Sequence, residues 1–164
     1  MGFSQDNFIA HYEKYKDKIY VYFLYRVGFN RETAEDLTSE VFLKALKSFS
    51  TFDQNRSFQS WIYAIAHNHL VNHYRVANRE VELTENVSIT QSDHKKIELG
   101  YELELILKEI NKMEANDRDI LLLRFVDQLD NSEIAELLGK EEGAVRTKIS
   151  RSLAKLREKL DGHG

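Results

Sequence analysis

A short helix, a glycine and a longer helix follow one another near the carboxyl end of the sequence, and this succession constrains the fold most. Asp130 followed by Glu133 is a capping-box pattern at the start of the first helix. Apolar residues at 134, 135, 137 and 138 give that helix one face to bury. Gly139 can then take a positive φ where the helix ends. The pattern predicts a helix-turn-helix, a unit that commonly places its second helix in the major groove of DNA.

The second helix, predicted over 142–160, has an apolar stripe and a polar face rich in cations. The stripe recurs at spacings of three and four residues: Val145, Ile149, Leu153, Leu156 and Leu160. Away from the stripe, or flanking it, lie Arg146, Thr147, Lys148, Ser150, Arg151 and Lys155. Such side chains suit base edges and phosphates. A basic face alone is equally typical of an ordinary solvated helix, but the short helix and glycine before it favour DNA binding.

The rest of the chain also has the pattern of helices, because it has no proline and few alternating β-branched runs. We expect helices at about 5–28, 31–49, 57–77, 96–114, 117–126, 131–138 and 142–160, with Asn30 as the N-cap of the second. Residues 80–95 are polar and lack a helical period, which predicts a linker. The sequence therefore predicts an all-α protein with two small helical domains, 1–79 and 97–164, joined by a flexible linker at 80–96.

Charge is distributed unevenly over the 164 residues. The net charge is −4, but residues 80–117 hold ten acidic and four basic side chains, whereas residues 144–160 hold six basic and one acidic. A DNA-binding protein needs a local basic surface more than a basic total. The absence of cysteine excludes disulfides and thiolate metal sites. There is neither a secretion signal nor a long apolar run, so we expect a cytoplasmic protein without membrane insertion.

Two segments of the N-terminal half add to this pattern. Residues 34–46 form an amphipathic helix that, taken alone, indicates only ordinary packing. Residues 57–75 are aromatic, free of acidic side chains and basic at their end. Aromatic rings stack on unpaired bases at about 1–3 kcal/mol each, and nearby cations hold the strand backbone. The alternative for the apolar residues is burial, which we expect for Ile62, Ile65 and Leu70 and partly for Trp61.

Three histidines, His67, His69 and His73, lie in the same segment. The last two are four residues apart and could share a metal ion, but the helix offers no nearby carboxylate and the chain no cysteine. Polar contacts beside DNA are therefore the favoured interpretation. The sequence also has no Gly-rich phosphate loop and no nucleophile motif. We expect no metal, no cofactor and no enzymatic activity.

The C-terminal motifs resemble region 4 of the extracytoplasmic-function (ECF) sigma factors of the sigma-70 family, over residues 117–125, 133–139 and 142–157. In that family region 4 reads the −35 promoter element. The resemblance implies that Arg146, Thr147, Ser150 and Arg151 read bases, and that Lys148 and Lys155 contact phosphates. This chain departs from the family at Lys140 and Glu141, where an apolar residue and a Ser or Thr cap are usual. A lost cap costs on the order of 1 kcal/mol.

The N-terminal segments resemble region 2 of the same family. Residues 34–46 resemble region 2.2, which docks on the β′ clamp coiled coil of RNA polymerase, and the implied contacts are Asp36, Ser39, Glu40, Phe42 and Leu43. Residues 58–75 resemble regions 2.3 and 2.4, which open and read the −10 element. The resemblance implies that Asn72 and a following loop, 76–79, capture a flipped base. The strand path would be lined by Tyr63, Asn68, Tyr74 and Arg75, and Trp61 and the loop residue Arg79 would also bind −10 DNA.

A sigma factor would direct promoter-specific transcription initiation. Its implied partners are core RNA polymerase (through the β′ clamp and the β flap), promoter DNA in duplex and single-stranded form, and an anti-sigma factor. The acidic linker, with Glu80, Glu82 and Glu85, could follow a basic channel of the polymerase. The alternative is a stand-alone helix-turn-helix regulator that binds an operator without polymerase. The aromatic, acid-free stretch favours the sigma factor, because a sigma factor binds opened DNA strands and a stand-alone regulator binds only duplex DNA.

Overall fold

The computed structural model describes residues 5–83 and 100–162, and the chain divides into two compact units, Met1–Lys95 and Lys96–Gly164. Over the described residues all regular structure is helical, as expected of an all-α protein. Most of the predicted linker and the predicted helix start at 96–99 lie outside the described residues.

The first unit is built from three long helices, α1 (Gln5–Leu24), α2 (Arg31–Ser48) and α3 (Phe58–Leu83), with a 3₁₀ turn at Phe49–Thr51. Each helix contributes an apolar stripe to one core, and the helices pack pairwise against one another. The largest fully buried side chains there are Ile19, Tyr22, Phe23, Val41, Ile62 and Tyr63. At one end the core continues as a cluster of rings: Phe8, His11, Phe49, Phe52, Phe58 and Trp61.

The ends of these helices follow local backbone chemistry. The predicted first helix is too long: α1 ends at Leu24 and is followed by turns, and the φ values of 64° at Gly28 and 62° at Phe29 exclude a right-handed helix there. Asn30 is confirmed as the cap of α2, since its side-chain oxygen accepts from the Thr33 N–H at 3.1 Å. The predicted third helix is too short: it ends at about residue 77, whereas α3 ends at Leu83. The helix runs through residues 80–83 of the predicted linker, where neither glycine nor proline interrupts it.

The second unit contains α4 (Tyr101–Lys112), α5 (Ala115–Leu121), α6 (Asn131–Leu138) and α7 (Glu142–Asp161). The end of α5 widens into a π turn at Leu122–Val126. The last helix contacts each of the other three, so its apolar stripe lies at the centre of the unit. Val145, Ile149 and Leu156 are buried as predicted, whereas Leu153 and Leu160 are half-buried. The small polar Ser152 is fully buried among them, which the apolar pattern did not indicate.

The helix-turn-helix is confirmed in its details. The Asp130 side chain accepts from the Glu133 N–H at 2.8 Å, and the Glu133 carboxylate accepts from the Asp130 N–H at 3.3 Å, which completes the capping box. Gly139 has φ 65°, the left-handed conformation that ends α6. By contrast, Glu141 makes no side-chain capping bond to α7. The departure from the usual Ser or Thr therefore leaves the first turn of α7 without a side-chain cap.

Candidate nucleic-acid interface

The outer face of α7 gathers the four residues expected to read bases. Arg146, Thr147, Ser150 and Arg151 are all exposed, and they lie away from the buried Val145, Ile149 and Leu156 or flank them. The Thr147 hydroxyl donates to the Gly143 carbonyl at 3.1 Å, so its proton is used within α7 and its oxygen can still accept. Arg146 lies 3.6 Å from the exposed Glu142 carboxylate. An exposed pair of this kind is worth less than about 1 kcal/mol, so it leaves Arg146 available to DNA.

The two lysines expected to contact phosphates are held by a buried carboxylate. Asp117 of α5 is 2% exposed and receives the Ser152 hydroxyl at 2.7 Å. The ammonium groups of Lys148 and Lys155 lie 2.9 and 3.1 Å from its two oxygens. The Ser152 hydroxyl and then these two cations hold the pKa of Asp117 well below its usual range, against the opposing effect of burial. Both lysines therefore lock α7 onto α5 in this structure.

Lys148 and Lys155 differ in how far their ammonium groups remain accessible to DNA. Lys148 is 30% exposed, and its ammonium faces the buried Asp117 oxygen. Lys155 is 54% exposed, and an ammonium has three N–H donors, so it can bind Asp117 and still reach a phosphate. Sequence reasoning missed Asp117 and Ser152, because neither stands out until α5 and α7 are packed together.

In the first unit, an open groove of about 490 Å³ lies between α2 and α3. Its polar lining includes three residues expected at the −10 strand, Asn68, Asn72 and Arg75, together with Lys44 and His69. The Arg75 guanidinium donates to the Asn72 side-chain oxygen at 2.6 Å, which leaves the Asn72 amide NH₂ free to donate. The groove thus presents two amides and two cations on one side of the unit.

The remaining residues expected along the strand path have mixed placements. Tyr63 is 1% exposed, so the prediction that it lines the path is wrong: it packs against Tyr22 in the core, with ring centroids 5.6 Å apart. Trp61 is half-buried, with its indole against Phe52 at 5.0 Å. Arg79 is exposed at the end of α3. The expected loop at 76–79 is wrong as well, because these residues are helical.

Tyr74 has an exposed ring and a hydroxyl that is held by a hydrogen bond. Its ring is 43% exposed, and its hydroxyl donates to the Arg26 carbonyl in the turn after α1. The Arg26 guanidinium stacks on the Tyr22 ring at 3.9 Å, which anchors that turn to the core. Tyr74 is therefore a rigid aromatic surface of the kind on which a base can stack.

The surface expected to dock polymerase lies on the outer side of α2. Asp36, Ser39, Glu40 and Leu43 are exposed, and Leu43 is 58% accessible despite being apolar. Phe42 is 5% exposed and packs edge-on against Tyr12 at 4.9 Å. The prediction that Phe42 makes an external contact is therefore wrong, because its ring belongs to the core that supports the surface.

The His69 ring contacts two charged residues of α2. Its Nε2 lies 2.5 Å from the Glu40 carboxylate and its Nδ1 lies 2.8 Å from the Lys44 ammonium. Both ring nitrogens are thus occupied by protein groups, which leaves neither for the metal considered with His73. His67 lies within 3.5 Å of the Tyr22 hydroxyl. Within the described residues, no three His, Cys, Asp or Glu side chains are grouped so that they could bind a metal ion. None of the described helices combines the length and the hydropathy that a membrane span requires.

Two family descriptions match this sequence. Sigma-70 region 2 matches residues 11–80, and Sigma-70, region 4 matches residues 103–156. The structure resembles the sigma factor RpoE, solved in complex with the anti-sigma factor NepR from Bartonella quintana, with a TM-score of 0.75, 19% identity and coverage of 94% of this chain and 97% of that chain. CnrH in complex with the cytosolic domain of CnrY gives a TM-score of 0.73 at 21% identity, covering 99% and 92%. At these identities the two structures support the fold alone.

Relatives found by sequence, which are more than 30% identical to this chain, identify the family. The ECF RNA polymerase sigma factor SigW of Bacillus subtilis is 32% identical over 96% of this chain and 90% of its own length. The RNA polymerase sigma factor YlaC of the same organism is 31% identical over 91% of this chain and 89% of its own length. The ECF RNA polymerase sigma factor BldN of Streptomyces coelicolor is 34% identical over 92% of this chain, which spans 60% of the length of BldN. The chain therefore belongs to the extracytoplasmic-function sigma factors of the sigma-70 family.

Proposed function

We propose that this sigma factor joins core RNA polymerase and uses two surfaces of different chemistry to select promoters. The observation that carries the proposal is the pairing of an exposed cationic helix face in one unit with an amide-lined, cationic groove in the other. The first suits paired bases in a major groove, and the second suits a single unpaired strand. Polymerase would hold both on one promoter, so that two weak contacts act as one strong one.

The −35 element is assigned to α7. Arg146 and Arg151 can each give bidentate hydrogen bonds to a guanine, and the hydroxyls of Thr147 and Ser150 can reach neighbouring base edges. Each good bidentate pair is worth about 1–3 kcal/mol of discrimination. Lys155, more than half exposed, would add a phosphate contact. Lys148 is assigned to the fold instead, because its ammonium faces the buried Asp117.

The −10 strand is assigned to the groove between α2 and α3. Extruding a base costs a few kcal/mol, which hydrogen bonds to its edge must offset. The amides of Asn68 and Asn72 can both donate and accept, so they suit the Watson–Crick edge of a base. Arg75 and Lys44 supply positive charge for the backbone, and the Tyr74 ring gives a surface for stacking. Arg79 and part of Trp61 would extend this path along α3.

Polymerase docking is assigned to the exposed side of α2. Asp36, Ser39 and Glu40 offer acceptors around the apolar Leu43, which suits a basic surface with an apolar contact, such as the β′ clamp coiled coil. The second unit would dock on the β flap. An anti-sigma factor would be a further partner, as the anti-sigma factor NepR is for RpoE in their solved complex. A protein with these partners acts in the cytoplasm.

Run-off transcription with purified core polymerase on a randomised promoter library tests the proposal. We expect recovered promoters to share two sequence blocks at a constant spacing, and we expect the free chain to bind no duplex site tightly. Tight, sequence-specific binding of an operator by the free chain, with no association with core polymerase, would reject the proposal in favour of a stand-alone regulator.

A further inference from the structure

His69 of α3 lies between two charged residues of α2, Glu40 and Lys44. Glu40 and Lys44 are four residues apart, a spacing at which opposite charges on a helix usually pair directly. Here the His69 ring lies between them, with Nε2 at 2.5 Å from the Glu40 carboxylate and Nδ1 at 2.8 Å from the Lys44 ammonium. The arrangement crosses from one helix to the other, so it depends on the packing of α2 against α3.

The hydrogen-bonding chemistry allows only one form of the ring. An ammonium can only donate, so Nδ1 must accept from Lys44, and the ring proton must lie on Nε2, where it donates to Glu40. The ring is also restrained, because its side chain is 10% exposed and it meets the Phe23 ring edge-on at 6.5 Å. The carboxylate of Glu40 therefore determines which nitrogen carries the proton, and Nδ1 is left as a fixed acceptor for Lys44.

Lys44 is part of the groove that also contains Asn68, Asn72 and Arg75. A lysine side chain has four rotatable carbons and, without a partner, extends freely into solvent. Binding one of its three N–H groups to His69 holds the ammonium at the groove and leaves two donors for a nucleic-acid strand.

We infer that His69 is a positioning residue, which holds the Lys44 ammonium at the groove for the opened promoter strand and makes that position depend on Glu40. The inference rests on the proposed function, because it takes the groove as the site of the −10 strand and Glu40 as part of the polymerase surface. It assigns a role to a histidine that the strand does not need to touch.

The test uses the full chain assembled with core polymerase and a fluorescent single strand that carries the −10 block of a recovered promoter. His69→Leu removes both the donor and the acceptor, whereas His69→Gln keeps one of each. We expect His69→Leu and Lys44→Met each to weaken strand binding by about tenfold, and His69→Gln to restore at least half of the loss on a logarithmic scale. Lys44→Met should also lower the salt dependence by about 0.7 in log–log slope. The double variant should bind no more weakly than Lys44→Met alone, because the two residues act through one ammonium.

Controls separate positioning from folding and from docking. Lys47→Met removes an exposed lysine of α2 outside the groove and should leave strand binding unchanged. Association of labelled His69→Leu with core polymerase should stay within about twofold of the original protein, and its circular dichroism should show an intact fold. Three results would each overturn the inference. They are a strand affinity of His69→Leu equal to that of the original protein, additive losses of affinity in the double variant, and no recovery of affinity in His69→Gln. If the unmutated assembly itself binds no strand, the proposed function fails instead.

Discussion

Replacing Asp117 by asparagine tests the reading of α7 as a helix locked by a buried charge. The carboxylate accepts hydrogen bonds from Ser152, Lys148 and Lys155 at 2.7–3.1 Å. Asp117→Asn keeps the shape and leaves a contact to Ser152, but it leaves two lysines without their anion. Breaking a buried pair costs about 3–5 kcal/mol, and the partial exposure of both lysines reduces this. We expect the second unit to lose about 2–3 kcal/mol of stability at pH 7.

The loss should depend on pH in a defined direction. The partners hold the pKa of Asp117 below its usual value, so the stabilisation is complete above the unfolded-state pKa of about 3.9 and is lost as pH falls through the folded-state pKa. The gap between Asp117→Asn and the original protein should therefore be constant from about pH 7 to pH 5 and shrink below about pH 4.

Hydrogen exchange in a urea series is the suitable assay, because it reports the two units separately. Peptides from α5 and α7 should lose protection in Asp117→Asn, while peptides from α1–α3 serve as an internal reference. Glu136→Gln, an exposed charge removal on α6, is the matched control and should change stability by less than about 0.5 kcal/mol. Equal stability of Asp117→Asn and Glu136→Gln at pH 7, or a gap that persists unchanged at pH 3, would refute the reasoning.

Substitutions at Arg151, Gly139 and Phe42 have distinct expected effects. Arg151→Ala should weaken transcription from promoters with a −35 element by about 1–3 kcal/mol and spare promoters without one; equal effects on both in run-off assays would contradict its role. Gly139→Ala should lower the free energy of unfolding by about 1 kcal/mol because the φ of residue 139 is 65°, although no atom lies within 4 Å of the added carbon. Gly143→Ala, within α7, should raise the free energy of unfolding by up to about 1 kcal/mol. Thermal unfolding that shifts in the same direction for both variants would be inconsistent with backbone strain at Gly139. Phe42→Ala should destabilise the first unit by about 3–5 kcal/mol, while Leu43→Ala should leave stability nearly unchanged and reduce association with core polymerase; a stable Phe42→Ala protein would show that this ring is not core.

The sequence predicted well the features that depend on neighbouring residues. The capping box at Asp130, the left-handed Gly139 and the Asn30 cap involve atoms at most a few residues apart, so their chemistry is visible in the residue order. Helical periodicity likewise located α6 and the buried stripe of α7, because a helix repeats every 3.6 residues.

Tertiary structure decided which polar groups meet. Asp117 binds Lys155 from 38 residues away, and His69 reaches Glu40 from 29 residues away, so no local spacing could reveal either contact. Tyr63 and Phe42 border the apolar stripes of their helices, and only the neighbouring helix determines that both rings are covered. Periodicity tells which face of a helix a side chain occupies, but the partner that it finds there depends on how separate helices pack, which is a property of the folded chain alone.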